Sequence, residues 1–156
     1  NVMLGYWNNE EETKKVLING WLHTGDIGII ENSFLKITDR KKDILITPGG
    51  DNISPIKIEN DLLKIDFVEQ TLVYGDNKPY LVALLVLNKE KSNIHDEIIL
   101  KELEVVNKNL SKIEKIKKFI VVKDQFTIEN GLITPTLKLK RYKIIQKYKN
   151  LLENLY

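Results

Sequence analysis

The longest uninterrupted apolar run in this chain, Tyr80 to Leu87, is the length of a strand. It falls far short of the roughly 20 residues that a bilayer-spanning helix needs. A second run rich in β-branched and aromatic residues, Phe67 to Tyr74, precedes it across Gly75-Asp76-Asn77-Lys78-Pro79. Two such runs around a Gly/Asn/Pro turn predict an antiparallel pair at the centre of the fold.

Helical patterns flank that pair. Ser54-Pro55 places a capping hydroxyl before a proline at the first helical position, which predicts a helix through about Leu63. Ile94, Ile98, Leu103, Val106 and Leu110 recur at helical spacing, and Lys138 to Leu155 reads as a basic terminal helix. Leu139, Ile144, Ile145, Tyr148 and Leu152 are available for its inner face. A short helix over Ser111 to Lys117, a strand over Phe119 to Val122 and a tight turn or hairpin around Asn130-Gly131 are expected between them. Upstream, Asn8 to Asn19 reads as a helix capped by Asn8 and ended by Gly20. Ile27–Ile30 and Phe34–Ile37 read as strands joined by Glu31-Asn32-Ser33, and Ile44–Ile46 as a short strand before a turn-rich loop, Thr47 to Asn52. The expected class is α+β. Asp39-Arg40-Lys41-Lys42-Asp43 forms a charged break between an N-terminal hairpin module and a module with its own core.

Composition narrows the chemistry. The chain has 156 residues, 42% of them hydrophobic, which excludes a mainly disordered state. With no cysteine there is no disulfide, thiolate metal site or cysteine nucleophile, and with two distant histidines, His23 and His95, no metal site is assigned. The first residue is Asn1 and the only methionine is Met3, which reads as a piece of a longer protein.

Net charge is only +2, but Lys112 to Lys149 holds eleven basic and three acidic residues, a local balance of +8. Such asymmetry fits either a solvated helix face or contact with an anion: nucleic acid, anionic lipid or a phosphorylated small molecule. Only Arg40 and Arg141 are arginine among 24 basic residues. A planar fork that is kept in a lysine-rich chain points to bidentate anion contact at those two positions.

Three segments could carry chemistry. In Trp21-Leu22-His23-Thr24-Gly25-Asp26 a carboxylate follows a glycine in a tight loop, where it suits a vicinal diol or simply caps a turn. Gly49-Gly50 lets a backbone approach a ligand closely, or serves only a turn. It is not a P-loop, because neither Gly-Lys-Ser nor Gly-Lys-Thr follows. Leu132-Ile133-Thr134-Pro135-Thr136-Leu137-Lys138-Leu139-Lys140-Arg141 presents an ammonium near the start of a basic helix, suited to a phosphate or carboxylate oxygen or else to solvent.

Taken in order, these segments resemble the C-terminal part of the adenylate-forming superfamily. The matching stretches are Val2-Met3-Leu4-Gly5-Tyr6-Trp7, Gly20 to Asp26, Asp39 to Asp43, Gly49-Gly50 and the segment around Lys138. Gly49-Gly50-Asp51-Asn52-Ile53-Ser54-Pro55 and Leu132 to Arg141 look like the long-chain fatty acid–CoA ligase branch. Many relatives carry Ser-Gly before the lysine, where this chain has Thr136-Leu137.

The resemblance implies a small C-terminal lid over residues 44–156, a hinge at 39–43 and, in 1–38, the end of a large N-terminal adenylation domain. It also implies that Asp26 binds the ribose hydroxyls of ATP, Asp39 is the pivot and Arg40 contacts the nucleotide. Gly49 and Gly50 would lie on a hairpin lining the pantetheine channel, and Lys138 would serve the first half-reaction. The implied activity is AMP-forming ligation of a long-chain fatty acid to CoA, with ATP, CoA and Mg2+ held mainly by the N-terminal domain. Without that domain the fragment is expected to be inactive. The implied location is cytoplasmic, with peripheral membrane contact left open. An alternative acceptor is a carrier-protein thiol, and a distant alternative is a basic nucleic-acid-binding module. The scattered aromatics Phe119, Phe126, Tyr142 and Tyr148 speak against that module, so no nucleic acid is expected as a partner.

Overall fold

The computed structural model describes residues 3–91 and 94–156. Val2, the first residue of the matched stretch Val2 to Trp7, lies outside the described residues. The chain divides into two compact units, Asn1–Lys42 and Asp43–Tyr156.

In the first unit α1 spans Glu10–Val16, and its cap is Asn9, whose side chain accepts from the Glu12 amide at 3.1 Å. The helix is shorter than the sequence pattern predicts. Asn19 and Gly20 adopt φ of +52° and +81°, and this left-handed pair turns a two-residue hairpin between β1 (Leu17–Ile18) and β2 (Trp21–Leu22). Asn-Gly therefore reverses the chain here instead of merely ending a helix. β3 (Asp26–Glu31) and β4 (Phe34–Arg40) pair antiparallel around Asn32-Ser33, with a register shift between Ile27 and Gly28. Both strands outrun their apolar cores, so Asp39 and Arg40 belong to β4. Among the described residues of this unit only Asp39 is buried, and Ile30, Phe34 and Leu35 are 80%, 77% and 69% exposed.

The second unit contains the core. A small hairpin pairs β5 (Leu45–Ile46) with β6 (Asn52–Ile53), a strand whose first residue the sequence pattern assigns to a loop. α2 (Pro55–Leu62) starts on Ser54, whose hydroxyl accepts from the Lys57 amide, and buries Ile58, Glu59 and Leu62. β7 (Val68–Tyr74) and β8 (Leu81–Leu87) form the expected antiparallel pair. After α3 (Asp96–Lys108) the chain returns as β9 (Ile116–Val122), parallel to β8, so the sheet order is β7-β8-β9. The short helix expected over Ser111 to Lys117 is a turn, closed by a Glu114 amide to Ser111 carbonyl bond and by the Glu114 carboxylate on the Ser111 amide. α4 spans Arg141–Glu153 and begins three residues after Lys138.

Every residue of β8 is buried, and its alternation supplies two cores. Leu81, Ala83, Leu85 and Leu87 face a cluster with Ile58, Leu62, Ile99 and Leu103 from α2 and α3. Val82, Leu84 and Val86 face Phe126, Ile144, Tyr148 and Leu152 on the α4 side. A central strand clad by helices on both faces reads as one continuous apolar run for this reason. Among the described residues, no helix is long and apolar enough to cross a membrane.

Candidate functional site

Asp26 and Arg40 face each other across the β3–β4 ladder, and Arg40 Nε donates to Asp26 Oδ1 at 3.0 Å. The loop before Asp26 is fixed by its own polar groups. Gly25 takes φ of +73°, its carbonyl accepts from the Lys41 amide at 2.8 Å, and Thr24 Oγ1 accepts from the Asp26 amide at 3.1 Å. The pair is solvent-accessible, with the side chains 53% and 28% exposed for Arg40 and Asp26. The second Asp26 oxygen therefore stays available to a hydroxyl, and the guanidinium keeps donors beyond Nε. Asp39 sits one residue before Arg40, 2% exposed, and its Oδ1 accepts from the Arg40 amide at 2.7 Å.

Gly49 and Gly50 lie on the tip of the β5–β6 hairpin. The Gly50 amide donates to the Thr47 carbonyl at 2.9 Å, and Thr47 and Asp51 close the loop through both backbone and side chains. Gly50 takes φ of +87°, which requires glycine-like freedom. The tip is exposed.

Lys138 stands on a third hairpin, outside α4. The Lys140 amide donates to the Leu132 carbonyl and the Thr134 amide to the Lys138 carbonyl, both at 2.8 Å, while Thr134 Oγ1 accepts from the Lys138 amide at 3.0 Å. Thr134 thus holds the Lys138 backbone on both sides. Leu137, immediately before the lysine, is held at φ of +59°, a conformation that glycine adopts without cost and leucine does not. The Lys138 side chain is exposed and has no hydrogen bond or ion pair among the described residues.

The structure thus brings Asp26 and Arg40 together. Lys138 and Gly49-Gly50 share the second unit but occupy separate hairpins, with no hydrogen bond between them among the described residues. Arg141, expected to grip an external anion, holds an internal one. Its Nη1 donates to Glu59 Oε1 at 2.6 Å and its Nη2 to the Val73 carbonyl at 2.8 Å, in a pair whose side chains are 11% and 8% exposed. The sequence carried a signal for this partner: Glu59 lies on the Ile58/Leu62 face of α2, and a carboxylate buried there requires a cation. His23 is exposed, and His95 caps α3 without a side-chain bond. No group of three His, Cys, Asp or Glu side chains among the described residues could hold a metal ion.

Residues 42–156 match the family model described as AMP-binding enzyme C-terminal domain. The long-chain-fatty-acid–CoA ligase FadD15 of Mycobacterium tuberculosis is 33% identical over 99% of this chain, which spans 30% of that protein's length. Among solved structures, the adenylation domain of the carboxylate reductase from Mycobacterium chelonae superposes with a TM-score of 0.89 at 32% identity, over 98% of this chain and 26% of that one. The corresponding domain of carboxylic acid reductase from Segniliparus rugosus, in complex with AMP and a co-purified carboxylic acid, gives 0.88 at 27% identity, again over 98% of this chain and 26% of that one. With a family-model match over residues 42–156 and this agreement over nearly its whole length, the chain belongs to the AMP-binding enzyme C-terminal domain family.

Proposed function

We propose that this chain is the C-terminal part of an AMP-forming long-chain fatty acid–CoA ligase, and that Lys138 is its catalytic residue in acid activation. The observation that carries the reading is the Lys138 ammonium, exposed and unpaired among the described residues on a hairpin whose backbone Thr134 fixes. In the first half-reaction the fatty carboxylate oxygen attacks the α-phosphorus of ATP, the bond to the bridging oxygen breaks, and pyrophosphate leaves. Two anions must meet, and charge grows on the phosphoryl oxygens. A cation already in place offsets that charge without reorganisation, which is worth several kcal/mol in such sites. Asp26 would take the ribose hydroxyls and Arg40 would contact the nucleotide beside them. Asp39 would be the pivot between residues 1–38 and 44–156, exchanging Lys138 for the Gly49-Gly50 hairpin when CoA attacks the adenylate.

Mg2+, where the reaction uses it, would be held mainly by the N-terminal domain and by the phosphates of ATP, since this ion usually binds through one or two carboxylates together with substrate phosphates. In the basic segment Phe126 and Tyr148 are buried in the core, which removes them from any base-stacking surface and weighs against nucleic acid as a partner.

A second reading, transfer of the acyl group to a carrier-protein thiol, draws on the likeness to the A-PCP didomain of carboxylic acid reductase from Segniliparus rugosus, 29% identical over 98% of this chain. Supplying the full-length protein with CoA or with a phosphopantetheinylated carrier separates the two acceptors. For the lysine, the test is Lys138→Ala in the full-length protein. Acid-dependent exchange of labelled pyrophosphate into ATP should fall at least about a hundredfold, in line with loss of one electrostatic catalytic group. Exchange that survives undiminished refutes the assignment.

A further inference from the structure

We propose that Arg141 is a positioning residue for Lys138, an inference that rests on the function proposed above. Arg141 is the first residue of α4, and on helical grounds it is misplaced. The helix start carries partial positive charge, the preceding Lys140 makes no side-chain capping bond, and no acidic residue occupies the first turn. Something other than helix stability accounts for a guanidinium there.

The compensating contacts lie across the domain. β7 is the edge of the sheet, and Val73 on it has its amide taken by Glu59 Oε1 at 2.7 Å and its carbonyl by Arg141 Nη2 at 2.8 Å. The same Glu59 oxygen accepts from Arg141 Nη1 at 2.6 Å. Glu59 and Arg141 together complete the hydrogen bonding of a sheet edge, as another strand would. The guanidinium therefore ties three elements, α2, β7 and the start of α4, at one node.

The Lys138 hairpin needs such a tie. Two-stranded hairpins are marginal alone in water. Its outgoing arm is held by buried Leu132 and Ile133, 4% and 8% exposed. Its turn, residues 135–138, is exposed, and its returning arm runs through Leu139 and Lys140 directly into Arg141. The Arg141 grip is thus the fixed point at the base of the arm that carries Lys138, three residues away, beyond the Thr134 bonds to the Lys138 backbone and the packing of Leu139 against the core. A lysine at position 141 could not hold a carboxylate and a carbonyl in one planar fork.

The test uses the full-length protein with Arg141→Lys and the double variant Glu59→Met/Arg141→Met, with Lys138→Ala as reference. Three readouts are taken: acid-dependent pyrophosphate–ATP exchange, thioester formation from supplied acyl-adenylate, and the thermal midpoint. The double variant removes both members of the buried ion pair, and such paired replacements by apolar residues are often neutral for folding. Displacing the amine by about 1 Å costs on the order of a hundredfold. Both Arg141 variants should therefore lose about 10- to 100-fold in exchange, with thioester formation from acyl-adenylate within about twofold of the parent. Exchange at parental levels in both, while Lys138→Ala abolishes it, overturns the positioning role alone. Parallel loss of both half-reactions with a fallen thermal midpoint also overturns it, leaving Arg141 purely structural. Undiminished exchange in Lys138→Ala instead overturns the underlying function.

Discussion

Leu137 offers a test of the local backbone in which the sign of an effect is decisive. At φ of +59° an L-residue suffers a clash between Cβ and the neighbouring carbonyl worth roughly 1–2 kcal/mol. The Leu137 side chain recovers little of this, because the residue is 73% exposed. Leu137→Gly removes the clash but also frees the unfolded chain, at about 0.5–1 kcal/mol. It further loses the small buried part of the side chain, so its net effect against leucine is close to zero. Leu137→Ala supplies the clean comparison, since it loses the same packing and keeps the clash. Glycine should therefore exceed alanine by about 0.5–1 kcal/mol, where at an ordinary exposed position alanine exceeds glycine by a similar amount. For a domain of this size that is a difference of a few °C in midpoint. Urea unfolding of the two variants, followed by circular dichroism, measures it. Alanine equal to or more stable than glycine refutes the left-handed assignment at position 137.

Two pH limbs follow from the same core. Burial and the hydrogen bond to Glu153 push the Tyr74 phenol up to about 12, and burial against Tyr74 and Tyr80 raises Tyr156 also. Raised values favour the neutral phenol in the fold, so this stability is complete below the ordinary tyrosine value of 10.0 and fades as pH climbs through about 12. Tyrosinate absorbance and circular dichroism should change together in that window, and Tyr74→Phe should flatten the loss; ionisation of Tyr74 at its ordinary value with the fold intact would contradict this. On the acid side, the Lys57 hydrogen bond draws the Glu114 carboxyl down to about 2 from 4.5. Its contribution is present above the unfolded value and lost as pH falls towards about 2. Lys57 is 57% exposed, so solvent screening limits the effect to about 1 kcal/mol. The stability gap between the parent and Glu114→Gln should close over that window, and a gap that persists at the acid end would exclude the pairing.

What was legible in the sequence followed period and capping. The β7–β8 pair was readable because two strand-length runs rich in β-branched and aromatic residues flank a Gly/Asn/Pro turn, and α2 was readable from Ser54-Pro55. Asn19-Gly20 misled because one dipeptide serves two purposes, ending a helix or turning a hairpin. The choice was settled by the bonding of Leu17–Ile18 to Trp21–Leu22, a pairing no local pattern displays. Ser111 to Lys117 failed for a related reason: Glu114 and Ser111 satisfy each other in a turn, which removes the need for a continuing helix. In the candidate site, Asp26, Arg40, Gly49, Gly50 and Lys138 were named from ordered motifs, but the Glu59–Arg141 node was missed. Its partners are separated by 82 positions, and sequence spacing says nothing at that distance.

Both arginines donate to a carboxylate of the chain, and they differ in what the contact is able to do. Arg40 and Asp26 meet in solvent, where such a pair is worth about 0–1 kcal/mol, so a ligand that brings hydroxyls and phosphates can replace the contact at little cost. Arg141 and Glu59 meet out of water, where breaking the pair by removing one partner costs about 3–5 kcal/mol. In the function proposed above, an exchangeable pair suits a surface that alternates between its own partner and a nucleotide. A pair that cannot open suits the base of an arm whose tip must return to one place. In a chain that otherwise uses lysine for cations, Arg141 is kept where a planar fork must hold the fold, whereas Arg40 engages Asp26 through Nε alone and, in the proposed function, keeps its remaining donors for a ligand.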